Sequence, residues 1–359
     1  MVYNKNMTKI AINGFGRIGR LFFREVFSAK GGSASGGGLD IVAINDLGDV
    51  ENLAYLLKYD TVYGRYNHEV KNDSGNLIVD GKKIAFIQEK DPTKLPWKNL
   101  KIDIVIESTG AFESFEKAAV HLQAGAKRVV ITAPAKDEER PDAKTVLLGI
   151  NEDQFKVCKI TSNGSCTTNA AHPVAAIMAE EPGIKKAILS TVHGYTATQN
   201  LVDGPIPHSS LKGEGASDFR RGRAAAQNIA PSFTGATISV TRALPELEGK
   251  FDGLAYRVPL VTGSLVDFTF MAKRKTTVQE INDIFRKAAQ SPRWKGILKV
   301  VEDQVVSSDI IGEPYGAIID LSFTRVVDGD LVKVLSWYDN EAGYVATLVK
   351  HVLNVAKYV

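Results

Sequence analysis

Short apolar runs alternate with helical patterns along the first half of the chain. Strand-like runs recur at five places: 8–15, 40–46, 83–87, 103–109 and 128–134. Segments with the spacing of an amphipathic helix lie between several of them: 17–29, 50–59 and 115–125. Strand–helix alternation of this kind predicts an α/β protein with a parallel, doubly wound sheet and right-handed crossovers.

The pattern changes after position 166. The apolar runs become longer and richer in β-formers: 254–260, 265–273, 316–323 and 331–339. Two helical patterns accompany them, at 277–290 and at 340–359. Such runs favour an antiparallel or mixed sheet, so we predict a second, α+β domain. With 359 residues, the chain is long enough for two domains that each have a core.

Composition narrows the classes of protein to consider. The longest apolar stretches are far shorter than the ~18 residues of a membrane span, and the N-terminus lacks the apolar core of a secretory signal. We therefore expect a cytoplasmic protein. The formal net charge is +3 with dispersed Lys and Arg, a balance that suits small anionic substrates and requires neither nucleic acid nor a membrane.

Three glycines form a GxGxxG motif between the first strand and the first helix. Gly14, Gly16 and Gly19 allow a tight turn and a close approach of the backbone to a pyrophosphate. The helix that follows presents unpaired N–H groups and the positive end of its dipole. The motif alone could be an accidental Gly-rich turn. Its place between a strand and a helix predicts a dinucleotide site in a Rossmann domain.

An acid at the end of the second strand supports this interpretation. Asp46 follows Gly19 by 27 residues instead of the usual ~20, and the Gly/Ser insert at 31–38, predicted to be a flexible surface loop, accounts for the difference. A carboxylate here would accept from the adenosine ribose and repel a 2′-phosphate, which favours NAD over NADP. The alternative is a helix N-cap or turn acid. A further turn at 107–112 lies at the same predicted sheet edge, although it could be a simple βα connection.

The chain has two cysteines, too few for a secreted disulfide framework and without a CxxC pair for zinc, so we expect no metal site. Cys166 begins a helical pattern among polar residues, where a thiol is stabilised as thiolate. The alternative for a lone cysteine is a small buried hydrophobe, which suits Cys158 better. His193 follows a strand-like run and is a candidate base for Cys166, although it could equally be structural. We expect His172, His208 and His351 to be surface or structural residues.

With these motifs, the chain resembles the phosphorylating glyceraldehyde-3-phosphate dehydrogenase family from Lys9 to Lys357. The similarity rests on eight blocks: INGFGRIGR (12–20), AIND (43–46), SCTTN (165–169), HGYTATQ (193–199), RRGRAAAQNIAPSFTGA (220–236), LPELEGK (244–250), YRVP (256–259) and SWYDNEAGY (336–344). The resemblance implies oxidative phosphorylation of glyceraldehyde 3-phosphate to 1,3-bisphosphoglycerate, with hydride transfer to NAD. It also implies a homotetramer.

The resemblance also implies roles for individual residues. Cys166 would form the thioester and His193 would be its base. The residues implied at the cofactor are Gly14, Gly16, Arg17, Ile18, Gly19, Asp46, Lys90, Ser108, Thr109, Thr132 and Asn340, the last two at the nicotinamide. Those implied at inorganic phosphate are Ser165, Thr167, Thr234 and Gly235, while Thr196 and Arg257 would bind the substrate phosphate, with Arg257 able to serve both anions. The implied domains are an NAD-binding domain at 1–165, a catalytic domain at 166–339, and a C-terminal helix at 340–359 that packs on the first domain.

The chain departs from the family pattern at several positions. Lys90 replaces the usual Arg near the adenine, Ala170 replaces a second cysteine, and the segment 203–223 is longer than usual. Two alternative functions remain open. One is an erythrose-4-phosphate dehydrogenase, which hydrolyses the thioester, and the other is a nucleotide-binding regulator without catalysis.

Overall fold

A computed structural model describes residues 7–28, 37–206 and 218–359. Most of the Gly/Ser insert at 31–38, the middle of the segment 203–223 and His208 lie outside the described residues. The chain divides into two compact units. The first contains the described residues up to Val146, together with Asn151–Gly164 and Leu348–Val359, and the second contains Leu147–Ile150 and Ser165–Thr347.

The first unit is built on a nine-stranded sheet in the order β10-β11-β9-β8-β1-β2-β7-β6-β5. Its strands are β1 Thr8–Asn13, β2 Leu39–Asn45, β5 Val70–Asp73, β6 Asn76–Val79, β7 Lys82–Ile87, β8 Ile104–Glu107, β9 Arg128–Ile131, β10 Ala143–Thr145 and β11 Ile160–Ser162, with a separate pair formed by β3 Tyr59–Asp60 and β4 Gly64–Arg65. The seven strands from β10 to β7 are parallel, whereas β6 and β5 form an antiparallel edge.

The parallel part of this sheet has the doubly wound strand order of a dinucleotide-binding fold, as predicted. The order reverses at β1 and β8, which are direct neighbours, so the turns that follow these two strands share one edge of the sheet. Ile10 and Ala11 on β1, and Ile104 and Val105 on β8, are fully buried, and in each strand the two residues point to opposite faces. Strands buried on both faces are nearly continuous apolar runs, which explains why the sequence pattern revealed them.

The helices of the first unit are short apart from the first: α1 Arg17–Ser28, α2 Val50–Lys58, α3 Trp97–Leu100, α4 Phe115–Ala118 and α5 Val120–Gln123. α1 buries Phe22, Phe23 and Val26, the apolar stripe seen in the sequence. The segment 115–125, expected to be one helix, forms two short helices that meet at Ala119. The sequence analysis also missed the β5–β6 hairpin, whose turn places both Ser74 and Gly75 at positive φ.

The second unit contains a mixed seven-stranded sheet in the order β13-β14-β12-β15-β18-β17-β16. Its strands are β12 Ile184–Gly194, β13 Ala230–Phe233, β14 Phe251–Val258, β15 Ser264–Ala272, β16 Leu298–Val301, β17 Ala317–Val327 and β18 Leu331–Tyr338, and its helices are α6 Cys166–Glu180, α7 Ala236–Ala243 and α8 Val278–Gln290. Most pairs are antiparallel, while β12/β14 and β16/β17 are parallel. The predicted α+β domain is therefore confirmed as a fold class.

Helices cover one face of the second sheet. α6 contacts β15, β17 and β18, while α7 contacts β14 and α8 contacts β17. Buried and less buried residues alternate along β15, as expected for a strand with one face in the core. The last helix, α9 Ala342–Ala356, begins in the second unit and ends in the first. Within the ranges that the structure describes, no helix has the length and apolarity to span a membrane.

Candidate active site

Cys166 is the first residue of α6, as the sequence pattern predicted. Ser165 caps the helix, because its hydroxyl accepts from the Thr168 N–H at 3.0 Å and the Thr168 hydroxyl accepts from the Ser165 N–H at 3.0 Å. The thiol therefore lies at the positive end of a 15-residue helix. Unlike fully buried Cys158, the residue Cys166 is only partly buried.

His193 lies one residue before the end of β12 and is 3% exposed. Its Nε2 is 3.2 Å from the Cys166 Sγ, and its Nδ1 is 2.6 Å from the Gly194 carbonyl oxygen. A proton on Nδ1 can be donated to that carbonyl, which leaves the Nε2 lone pair facing the thiol. In this tautomer, His193 is oriented to accept the proton of Cys166.

Arg257 brings a positive charge to this pair. It lies on β14 directly beside His193 in the β12/β14 register, and its Nη1 is 2.7 Å from His193 Nδ1 and 3.3 Å from the Gly194 oxygen. Burial, with a smaller contribution from the Arg257 charge, lowers the pKa of His193 to about 3. Burial raises the pKa of Cys166, whereas Arg257 and the Thr167 N–H act to lower it. An anion bound at Arg257 would reduce its repulsion of a protonated His193.

Tyr338 connects the thiol helix to the histidine strand, a role that sequence analysis missed. Its hydroxyl is 2.9 Å from the Thr167 hydroxyl and 2.8 Å from the Thr191 hydroxyl. Its ring packs edge-on against His193 with a centroid distance of 5.9 Å. The side chain is fully buried, and burial raises its pKa further above the usual tyrosine range. Tyr338 thus helps to fix the distance between Cys166 and His193.

Asn340 has its amide oxygen fully engaged within the second unit. Oδ1 accepts from the Gly263 N–H at 3.1 Å, the Ser264 hydroxyl at 2.9 Å and the Thr262 hydroxyl at 3.2 Å. The Gly263 N–H can only donate, so the atom beside it must be the oxygen. The Nδ2 hydrogens are therefore the polar group that Asn340 can present to a ligand. This arrangement fits a residue that donates to a carboxamide carbonyl.

The predicted phosphate residues occupy different settings. The Ser165 hydroxyl is used in the helix cap and the Thr167 hydroxyl contacts Tyr338. Thr196 follows β12, with its hydroxyl 3.0 Å from that of Thr198. Gly235 is the N-cap of α7, and the Thr234 hydroxyl accepts from the Ala236 N–H at 3.3 Å. Of this set, Arg257 contacts His193 and Thr167 contacts the Cys166 thiol.

The three glycines of the first unit have distinct environments. Gly14 has a φ of +95°, and a Cβ there would lie 2.6 Å from the backbone of Thr109. A Cβ on Gly19 would lie 2.2 Å from the Gly14 oxygen. A Cβ on Gly16, by contrast, would have no atom of the described residues within 4 Å, so that side is open. The first and third glycines are therefore required for the shape of the turn, whereas the side of the second is open.

Asp46 lies beside this turn. One carboxylate oxygen accepts from the Phe15 N–H at 2.6 Å and the other from the Gly48 N–H at 2.8 Å. The N-cap of α2 is Asp49, not Asp46, so the helix-cap alternative for Asp46 is wrong. The carboxylate does act within a turn, since it accepts from the N–H two residues further on. This position fits an acceptor for ribose hydroxyls.

A buried polar network supports the neighbouring turn after β8. Glu107 is 3% exposed and accepts from Asn13 Nδ2 at 2.6 Å and from the Thr109 N–H at 2.9 Å. His121 Nε2 is 2.8 Å from the same carboxylate, while His121 Nδ1 accepts from the Trp97 indole at 3.2 Å. The network therefore fixes the backbone of Thr109 through the Glu107 carboxylate. Sequence analysis did not identify it, because its members are far apart in the chain.

The other cofactor candidates lie at the same edge of the first unit. The Ser108 hydroxyl donates to the backbone carbonyl oxygen of Gly14 at 2.7 Å, and the Thr132 hydroxyl donates to the backbone carbonyl oxygen of Glu107 at 3.0 Å. Arg17 and Ile18 are in the first turn of α1, where Arg17 forms an ion pair with Asp60. Lys90 is exposed, three residues after β7. The residues of this edge thus fit a dinucleotide.

The remaining thiol and imidazoles have the structural character expected of them. Burial raises the pKa of Cys158 to about 11, so it remains protonated and inert. His172 and His351 are fully buried, not on the surface. His172 contacts the carbonyl oxygens of Thr168 and Leu148, and His351 contacts the Thr161 hydroxyl at 2.7 Å.

Comparison with known proteins agrees with both parts of the molecule. Residues 8–115 match a family model described as the NAD binding domain of glyceraldehyde 3-phosphate dehydrogenase, and residues 165–340 match the model of its C-terminal domain. The glyceraldehyde-3-phosphate dehydrogenase of Borreliella burgdorferi is 47% identical over 348 residues, which cover 95% of this chain and 97% of that protein. Those of Streptomyces coelicolor and Kluyveromyces lactis are 45% and 47% identical over 95% and 96% of the chain, and over 96% and 100% of their own lengths. This chain, with its NAD-binding domain, belongs to the glyceraldehyde-3-phosphate dehydrogenase family.

Proposed function

We propose that the protein oxidises glyceraldehyde 3-phosphate with NAD and inorganic phosphate, giving 1,3-bisphosphoglycerate through a thioester on Cys166. The observation that carries this proposal is the 3.2 Å contact between Cys166 Sγ and His193 Nε2 at the start of a long helix. A thiol and a base at hydrogen-bond distance are what covalent catalysis at a carbonyl requires. The family of the chain supplies the substrate class.

The first step is attack of the sulfur on the aldehyde carbon. His193 Nε2 accepts the thiol proton, while the proton on Nδ1 stays on that nitrogen and is donated to the Gly194 carbonyl oxygen. The tetrahedral oxyanion is then held by protonated His193 and by the backbone N–H of Cys166 at the start of α6. Collapse of this adduct, with loss of hydride from the carbon, leaves an acyl thioester on the sulfur.

NAD supplies the chemistry of a hydride acceptor when it is bound. The turn of Gly14, Gly16 and Gly19 would hold its pyrophosphate with Arg17 and Ile18, while Asp46 would accept from the adenosine ribose. Ser108, Thr109 and Lys90 would flank the nucleotide, and Thr132 would line the nicotinamide pocket. The Asn340 amide would donate to the carboxamide. The open side of Gly16 and the fixed oxygen of Asn340 support this assignment.

Inorganic phosphate resolves the thioester. Its oxygen attacks the acyl carbon, the sulfur leaves as thiolate, and the product is an acyl phosphate. We assign Ser165, Thr167, Thr234 and Gly235 to inorganic phosphate and Thr196 with Arg257 to the substrate phosphate. The Arg257 charge beside the thiol supports this, because two anions close to one sulfur need compensating charge. Since the Ser165 and Thr167 hydroxyls have protein partners, backbone N–H groups would carry part of the contact.

We also propose a homotetramer in the cytoplasm, with an NAD-binding domain at 1–165, a catalytic domain at 166–339 and a C-terminal helix at 340–359 that packs on the first. An apolar surface on the second sheet supports self-association. Ile188 is 55% exposed and Phe233 is 53% exposed, and Val192 faces the same side of β12 as Ile188. An apolar surface of this kind indicates an interface.

The decisive experiment follows NADH formation by the full chain with and without phosphate. With phosphate, we expect continuous NADH production and an acyl phosphate product. Without phosphate, we expect one NADH per Cys166 and then a stall, because the thioester is sheltered from water. Steady turnover without phosphate would instead indicate the hydrolytic alternative. No NADH in either arm would indicate a nucleotide-binding regulator.

A further inference from the structure

One buried hydroxyl lies between the base and the amide that we assign to the cofactor. Ser264, the first residue of β15, is 2% exposed. Its Oγ accepts from the Gly194 N–H at 3.2 Å and donates to Asn340 Oδ1 at 2.9 Å. A serine hydroxyl has a single proton, and these two bonds use it in one consistent direction. The chain of hydrogen bonds therefore runs from Gly194 through Ser264 to Asn340.

Gly194 connects this series of hydrogen bonds to His193. The Gly194 oxygen is 2.6 Å from His193 Nδ1 and accepts from it in the tautomer that leaves Nε2 free for the thiol. Glycine is required here because a Cβ would lie 2.9 Å from the Leu260 oxygen and 3.3 Å from the Thr262 Cα. A glycine has more rotational freedom than other residues, so its two peptide groups need external restraint. The Ser264 hydroxyl restrains the peptide on the N-terminal side of Gly194.

We infer that Ser264 is a positioning residue that supports His193, through the Gly194 backbone, and Asn340, through its amide oxygen, with one hydroxyl group. The inference rests on the proposed function, since it assumes the assigned roles of His193 and Asn340. It predicts that both the activation of the Cys166 thiol and the affinity for NAD depend on the Ser264 hydroxyl. Loss of the hydroxyl should weaken both properties together.

The neighbouring Thr262 provides a matched control. Its hydroxyl also lies 3.2 Å from Asn340 Oδ1 and 3.2 Å from the Asp339 carboxylate, and its single proton can be donated to either. Neither contact involves Gly194. Thr262→Val keeps the shape and removes this donor. The titratable and charged groups around His193 are Cys166 on α6, Arg257 on β14 and Tyr338 on β18. Neither substitution changes any of them.

The test compares Ser264→Ala and Thr262→Val in the full chain, without aldehyde substrate. For S264A we expect the NAD dissociation constant to rise about 5- to 10-fold and the rate of Cys166 alkylation by iodoacetamide at pH 7, without NAD, to fall by a similar factor. For T262V we expect about a 3-fold weaker NAD affinity and an alkylation profile from pH 6 to 10 within about twofold of wild type. A purely structural defect would lower the melting temperature without this difference in alkylation rate between S264A and T262V.

The inference is overturned if folded S264A keeps either quantity within about twofold of wild type, or if T262V slows alkylation as much as S264A. Should S264A fail to fold, Ser264→Cys replaces it, because a thiol is of similar size and a weaker hydrogen-bonding group. Alkylation of Cys166 is then followed by peptide mapping, since this variant adds a thiol, and the same criteria apply. Neither readout needs glyceraldehyde 3-phosphate or inorganic phosphate. Failure of the proposed function therefore appears in the NADH assay of wild type, separately from failure of this inference.

Discussion

The cofactor turn of the first unit and the thiol site of the second differ in the chemical groups that form them. The turn consists mostly of backbone, with three glycines within six residues and one carboxylate that accepts from Phe15 N–H. The thiol site consists of side chains from separate elements: Cys166, His193 and Arg257 on α6, β12 and β14. The first site should determine affinity for the nucleotide, and the second should determine rate. Substitutions can test this separation.

The largest effect is expected for Cys166→Ser, which removes the nucleophile. We expect turnover to fall by about 10⁴-fold or more, because hydroxyl attack lacks the reactivity of the thiol. NAD affinity, measured by fluorescence titration, should stay within about twofold. Cys158→Ser is the control, since that thiol is buried away from the site. Ordinary turnover in C166S would exclude the covalent route.

The next largest effect is expected for His193→Asn, which removes the proton acceptor 3.2 Å from the sulfur. Acylation measured as the pre-steady-state NADH burst should slow by about 10²- to 10⁴-fold. The pH at which Cys166 becomes alkylated should rise, because the thiolate loses its partner. An unchanged alkylation profile would mean that the two side chains act independently.

A smaller effect, confined to affinity, is expected for Asp46→Asn. Loss of the charged acceptor should weaken NAD binding about 10-fold, while turnover at saturating NAD stays within about threefold. Asp49→Asn is a matched control, with the same change of charge three residues away at the cap of α2, where Asn is also a good cap. Equal losses in both variants would indicate a general effect of charge on the first unit.

The last prediction concerns stability, not activity, and applies to both units, since each buries a histidine. Burial lowers the pKa of His172 to about 4 and that of His351 to about 3. The unfolded chain binds these protons near pH 6.5 but the folded chain does not, so stability should fall as the pH drops below that value. The expected loss is about 2 kcal/mol per histidine between pH 6.5 and 5.

Melting temperatures measured from pH 7 to pH 5 check this expectation. His172→Gln and His351→Gln should each make the melting temperature less dependent on pH, whatever their effect at pH 7. A pH dependence equal to that of wild type in both variants would show that the buried rings carry no such linkage.

The sequence predicted the elements whose signals are local. The β1–α1 turn, the start of α6 at Cys166 and the end of β12 near His193 follow from apolar periodicity and from polar residues at helix starts. The Cys166–His193 pairing was a hypothesis that spacing alone could not measure. The β5–β6 hairpin was missed although Asp73-Ser74-Gly75 is a turn signal, because each strand has only four residues and β5 is mostly polar.

The supporting partners could not be predicted in the same way. Tyr338 reaches Thr167 and Thr191 because β18 and β12 both pair with β15 in one register. Ser264 meets Gly194 for the same kind of reason. Such contacts depend on non-local pairing, and a shift of one residue in a strand would turn each side chain to the other face. Polar residues at strand ends signal only that some partner exists.

The burial of Cys158 has a practical consequence for anyone who handles this molecule. Within the full sequence only two sulfhydryls exist, and one of them is shielded from solvent with a pKa of about 11. A mild chromogenic reagent at neutral pH should therefore modify one position per polypeptide. The number of labels incorporated would count competent sites directly, and a spectroscopic tag attached this way would report from beside the catalytic sulfur.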